Sequence, residues 1–204
     1  MLNFFKKKKI EKEQITKRYY DLPYIGKFDI LNIKENYWSI SEFDKKKFII
    51  EINFRSKLIT ERTLTRIIST LQNIDKQDKI NRENLKNSLI DNNSTIKNFI
   101  DFHIDLIEDT HLLNLINSDK QNVSVQLELI KDLRLVQLRL FPFIKGKNDF
   151  PELVDYAVYD YVFEFEDGNI SNQVIVVNTD NKGTITSFYN TWDDKICELI
   201  NKKL

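Results

Sequence analysis

Residues 47–55 read Lys47-Phe48-Ile49-Ile50-Glu51-Ile52-Asn53-Phe54-Arg55. In an extended chain successive side chains point to opposite faces, so Phe48, Ile50, Ile52 and Phe54 share one side. Ile49, Glu51, Asn53 and Arg55 share the other, and a strand with one buried face is expected. Upstream, Trp38 and Ile40 alternate with Tyr37, Ser39 and Ser41, and the polar Asp44-Lys45-Lys46 can turn this strand into the next. A still earlier strand is expected to include Phe28 and Ile30. Near residue 58 the period changes: Leu64, Ile67, Ile68, Leu71 and Ile74 follow the i, i+3, i+4, i+7 spacing of an amphipathic helix. The even-numbered face of 48–54 is expected to pack against that helix.

Further along, Asn81 reads as the N-cap of a second helix, with Ile80 and Leu85 placed as a hydrophobic staple. A third helix is expected from Ser94 with Ile96, Phe99, Ile100, Ile104 and Ile107, and a short fourth capped by Thr110. Residues 122–132 fit a strand or a helix. Residues 133–141 read as a strand with Val136, Leu138 and Leu140 on one face, ended by Pro142. The stretch 156–189 reads as a meander with turns at Asp167-Gly168 and Asn181-Lys182-Gly183. A last helix is expected, with Thr191 and Asp194 as a loosened capping box. Strands, then helices, then strands, then one helix predict an α+β fold. Its mainly antiparallel sheet is formed by N-terminal and C-terminal strands, with a helical middle segment and a C-terminal helix. Residues 21–204 read as a single domain, and residues 1–20 as a basic leader, helical or frayed.

The 204 residues include 31 basic and 31 acidic side chains, so overall charge suggests no partner. The distribution is uneven. Residues 1–18 hold seven basic and two acidic residues, leaving 24 basic and 29 acidic residues for the remainder. A frayed, solvated terminus is the favoured reading of the leader, against contact with an anionic membrane or nucleic acid. Cys197 is the single cysteine, which fits a reducing, cytoplasmic setting. No segment approaches the roughly 20 apolar residues of a membrane span. Gly26, Gly146, Gly168 and Gly183 each stand alone, which argues against the common phosphate-cradling loops built on clustered glycines.

Few residues offer chemistry. His103 falls on the apolar stripe of the third helix and reads as a buried, hydrogen-bonded core residue. Glu108 and His111 form one Glu-x-x-His pair, but helical di-iron sites need two such pairs and two more glutamates. Cys197 has no base near it in sequence. No catalytic residue, metal site or cofactor is assigned. The most unusual segment is 148–181, with eight acidic residues and no Lys, Arg or His. It reads either as a strand with a solvated face or as an exposed acidic-aromatic docking surface. In the second reading Asp155, Tyr156, Tyr159, Asp160, Tyr161, Glu164 and Glu166 bind the partner, with the acids facing solvent.

The strand FDILNIKENYWSI (28–40), the helical middle and the tail YDYVFEFEDGNISNQVIVVNTDNKGTITSF (159–188) carry a resemblance. The layout resembles small bacterial α+β proteins of unknown function, some placed among the immunity proteins of polymorphic toxin systems. That resemblance implies a non-catalytic protein-binding module, an inhibitor that occludes a toxin domain, while the acidic segment, read as a docking surface, implies a partner with basic character. No nucleic acid is expected as a partner. The other readings are a regulatory or scaffolding domain, and an enzyme built from scattered carboxylates and tyrosines.

Overall fold

A computed structural model describes residues 17–54, 59–106, 123–142, 156–165 and 168–201. A small hairpin, β1 (Tyr19–Leu22) and β2 (Gly26–Asp29), precedes the main sheet. β1 begins inside the stretch expected to be leader, and Ile30 opens a 3-10 turn (Ile30–Asn32) instead of continuing the strand. Asp29 ends the strand there, because its carboxylate accepts the Leu31 N–H at 3.0 Å.

The main sheet contains β3 (Asn36–Phe43), β4 (Lys46–Asn53), β5 (Leu133–Leu140), β6 (Ala157–Glu164), β7 (Ile170–Thr179) and β8 (Ile185–Trp192). They lie side by side in sequence order. All neighbours are antiparallel except β4 and β5. Parallel neighbours need a long crossover. Here it holds α1 (Glu61–Gln72), α2 (Ile74–Ile90), α3 (Ser94–Leu106) and α4 (Val123–Lys131). The C-terminal α5 (Asp194–Asn201) returns over the opposite face and packs on β7 and β5. The α+β architecture read from the sequence is therefore the one observed.

Phe48, Ile50, Ile52 and Phe54 are buried in one cluster with Leu64, Ile67 and Leu71, while Ile68 packs at its edge. Each such side chain contributes roughly 1.5–3 kcal/mol on leaving water. The other face of β4 is also buried: Ile49 joins Val158, Val174, Val176, Ile196 and Ile200 in a second, smaller core. Val136 belongs to that second core and not with Leu138 and Leu140. A β-bulge between Leu135 and Gln137 inserts one residue and switches the face. Residues 123–131 resolve as a helix, while the short helix expected from Thr110 lies outside the described residues.

α1 is capped by Thr60, whose Oγ1 accepts the Thr63 N–H at 3.2 Å. α3 is capped by Asn93, whose Oδ1 accepts the Thr95 N–H at 3.0 Å. α5 is capped by Asp193, accepting from Ile196 N at 3.1 Å, and Thr191 belongs to β8. Asn81 is no cap. It lies in the middle of α2, fully buried, because its side chain finds partners inside the core. Its Nδ2 donates to the Tyr161 hydroxyl at 3.1 Å, and its Oδ1 accepts from Gln77 Nε2 at 2.9 Å. Gln77 Nε2 also donates to Gly183 O at 2.9 Å in the β7–β8 turn. The next residue, Arg82, donates through Nη1 to Leu133 O at 2.6 Å, and its guanidinium stands 5.5 Å from the Tyr161 ring centre. A polar seam thus fastens α2 to the middle and the far end of the sheet.

Removing one partner from such a seam strands the others out of water. Asn81→Ala is expected to cost about 2–3 kcal/mol and Tyr161→Phe about 1 kcal/mol, with an unchanged dependence on denaturant. Urea unfolding measures both, and equal small losses would show that the seam contributes little.

Candidate functional site

β6 is an interior strand, and its place decides the fate of the segment expected to form a docking surface. Tyr159 and Tyr161 point into the helix-facing core and Tyr156 lies at its margin, all buried. Asp160 is only 1% exposed, on the opposite face. Arg139 of β5 holds it from two directions, Nε to Oδ2 at 2.9 Å and Nη2 to Oδ1 at 2.7 Å. Glu164 is paired with Lys46 Nζ at 2.5 Å and Arg134 Nη1 at 3.4 Å. Asp155 and Glu166 lie outside the described residues. The expected exposed acidic-aromatic surface is therefore corrected for Tyr156, Tyr159, Asp160, Tyr161 and Glu164. The cations absent from 148–181 come from β4 and β5, and β6 packs on both faces. Breaking a buried pair such as Arg139–Asp160 by removing one partner costs about 3–5 kcal/mol, so these residues hold the fold.

His103 is fully buried, as its place on the apolar stripe implies. Its Nδ1–H donates to Phe99 O at 2.8 Å, and its ring stands 4.3 Å from Phe99 and 5.5 Å from Phe163. Nε2 is buried without a hydrogen-bond partner, so protonation there would bury an uncompensated cation. Cys197 is half-buried and donates to Ser171 O at 3.3 Å. Burial pushes its thiol pKa up, aided by Asp193 and Asp194, the reverse of what an activated nucleophile needs. Glu108 and His111 lie outside the described residues. Among the described residues no group of three or more His, Cys, Asp or Glu side chains is arranged to hold a metal ion. No described helix is long and apolar enough to cross a membrane.

Two surface features remain. The first is β8, ITSFYNTW, at the end of the sheet with no described strand beyond it. Its neighbour β7 satisfies one side of the strand, and no described strand pairs with the other side. Trp192 is 57% exposed and packs edge-on against Phe102 of α3 at 5.2 Å. Tyr189 is 41% exposed on the opposite face. The second is a cleft of about 290 Å³ between the α1–α2 junction and the β7–β8 turn, with Tyr156 and Tyr159 in its lining. Sequence reasoning missed the cleft. Its one advance signal was the Asn181-Lys182-Gly183 turn. Gln77, which ties that turn to α2, belongs to no motif.

Comparison with protein-family models, with curated proteins and with solved structures finds no match for this chain.

His103 and Asp160, both buried, set opposite pH trends. Burial lowers the His103 pKa from 6.5 to about 4, so its contribution to stability is present above pH 6.5 and lost as pH falls towards 4. Burial outweighs Arg139 and raises the Asp160 carboxyl from 3.8 to about 6, so that group weakens the fold as pH rises through the same window. His103→Leu removes only the first effect. Relative to the unaltered protein, the variant is expected to gain on the order of 3 kcal/mol between pH 6.5 and pH 4 in urea unfolding. A difference that does not change with pH would show that His103 is not held neutral by burial.

Proposed function

We propose that this chain is a non-catalytic protein-binding module whose docking element is the outer edge of β8, beside which no described strand lies. On this reading its partner is a toxin domain that it neutralises by occlusion, the role implied by the resemblance of its strands and tail to immunity proteins. The observation that carries the reading is the chemistry of that edge. Sheet edges are usually blunted by a charge, a proline or a covering element, because unpaired backbone groups recruit other strands. Ile185–Trp192 is eight residues long and holds neither charge nor proline. Strand addition draws affinity from backbone hydrogen bonds and specificity from alternate side chains. Here those side chains include Tyr189 and Trp192, residue types enriched where interfaces concentrate their energy. The chain beyond residue 18 has five more acidic than basic residues, which favours a basic partner through long-range steering.

The test is capture of the purified product of the adjacent gene by the unaltered protein and by a Thr191→Lys, Trp192→Lys double variant. Both positions are exposed, so folding is expected to persist, checked by an unchanged unfolding midpoint. The variant is expected to bind at least about tenfold more weakly. Equal capture by both proteins contradicts the edge as the docking element. Absence of capture by either contradicts the neutralising role.

A further inference from the structure

Aromatic rings hold α3 on the sheet. Its Phe102 meets Trp192 of β8 edge-on at 5.2 Å, and its His103 stands 5.5 Å from Phe163 of β6. His103 is fully buried at this junction, with Phe99 at 4.3 Å and Phe102 at 5.1 Å completing an apolar enclosure. The Nδ1–H bond stays inside the helix, on Phe99 O. Nε2 is shielded from solvent and has no partner. A wall of Phe rings offers no lone pair, so a proton added at Nε2 finds no acceptor while α3 lies on the sheet.

The elements packed against α3 supply no compensating charge. β7 and β8 contain no charged residue. In α4, Glu128 pairs with Lys131. In α2, Asp78 pairs with Arg82 and Glu83 with Lys86, while Asp75, Lys76 and Lys79 lie nearer its start. On β6, Glu164 pairs with Lys46 and Arg134, and Asp160 pairs with Arg139 on the opposite face. α3 itself carries Lys97, Asp101 and Asp105, and Asp101 accepts from Gln126 Nε2 at 3.2 Å. None of these acts on His103. Burial lowers its pKa to about 4, opposed only by the bond to the Phe99 carbonyl.

We infer that α3 is an acid-released clamp on the Trp192 end of β8: protonation of His103 favours a form in which α3 has left the sheet and Phe102 no longer buttresses Trp192. The polar seam does not reach this helix, because Asn81, Gln77 and Arg82 fasten α2. Asp160 is buried on the other face of the sheet and stays paired when α3 leaves, so its pH trend does not enter. In global unfolding it does enter, and it offsets His103. A pKa lowered from 6.5 to about 4 makes the opened form about a hundredfold more populated, relative to the closed one, at pH 4 than at pH 7. On the docking role proposed for β8, which this step assumes, the partner is held at neutral pH and released in acid.

The test is native-state hydrogen exchange of the full chain at pH 7 and pH 4, corrected for intrinsic rates. The amides of α3 are expected to open about a hundredfold more readily at pH 4, while those of β6 change far less because Asp160 offsets His103 there. A second readout is fluorescence of the Trp38→Phe variant, in which Trp192 is the single tryptophan. Its emission is expected to shift between pH 7 and pH 4, and His103→Leu in the same background is expected to abolish the shift. α3 amides that keep pace with β6, an emission unchanged down to pH 4, or the same shift with His103→Leu would overturn the assignment. Neither measurement involves a partner, so a failure of docking at β8 shows separately, in the capture experiment.

Discussion

The hydrogen bond from Asn81 to the Tyr161 hydroxyl sets the position of everything around it. Apolar contacts alone allow a helix to slide or roll over a sheet, because the hydrophobic effect has no direction. A buried amide facing a buried phenol has one satisfactory register, and any other leaves both groups unpaired in a medium where that is costly. Once Asn81 is placed, Gln77 one turn earlier reaches Gly183, and Arg82 reaches Leu133. α2 is thereby tied to β6, to the start of β5 and to the β7–β8 turn. The cleft exists because this tie holds the turn beside α2 while leaving the space between Lys76 and Lys182 unfilled.

β6 repeats the arrangement on its other side. Tyr161 faces α2, while Asp160, its neighbour in the chain, pairs on the opposite face with Arg139 of the adjacent β5. An interior strand with polar groups on both faces can hold them only if neighbouring elements bring complementary groups to the same level. Arg139 and Arg134 from β5 and Lys46 from the start of β4 do so. The charge of β6 is consumed in building the sheet.

Much of the fold was legible because its signals are local. The alternation in 48–54, the helical stripe from Leu64 to Leu71 and the meander turns near Gly168 and Gly183 all depend on residues close in sequence. The misreadings at Asn81, Asp160 and Glu164 share one physical cause, which is that the partner of a polar residue was distant. Asn81 looks like a cap because Asn often caps helices, and nothing within several residues shows that Tyr161 waits for it 80 positions away. Asp160 and Glu164 look solvent-exposed because alternation marks a polar face, yet it cannot say whether that face meets water or an arginine. Val136 was placed on the wrong face because a bulge shifts the register without a composition signal. The cleft is made by the approach of α2 to the β7–β8 turn, so no short window of sequence contains it.

Native-state hydrogen exchange tests the polar seam as the organising constraint. If Asn81 and Tyr161 lock α2 to the sheet, the amides of α2 around Asn81 and those of β6 around Tyr161 open together, with one free energy equal to that of global unfolding. Exchange of α2 through a lower-energy opening, while β6 stays protected, would contradict the account, because the helix would then be held by apolar packing that can let go without the sheet.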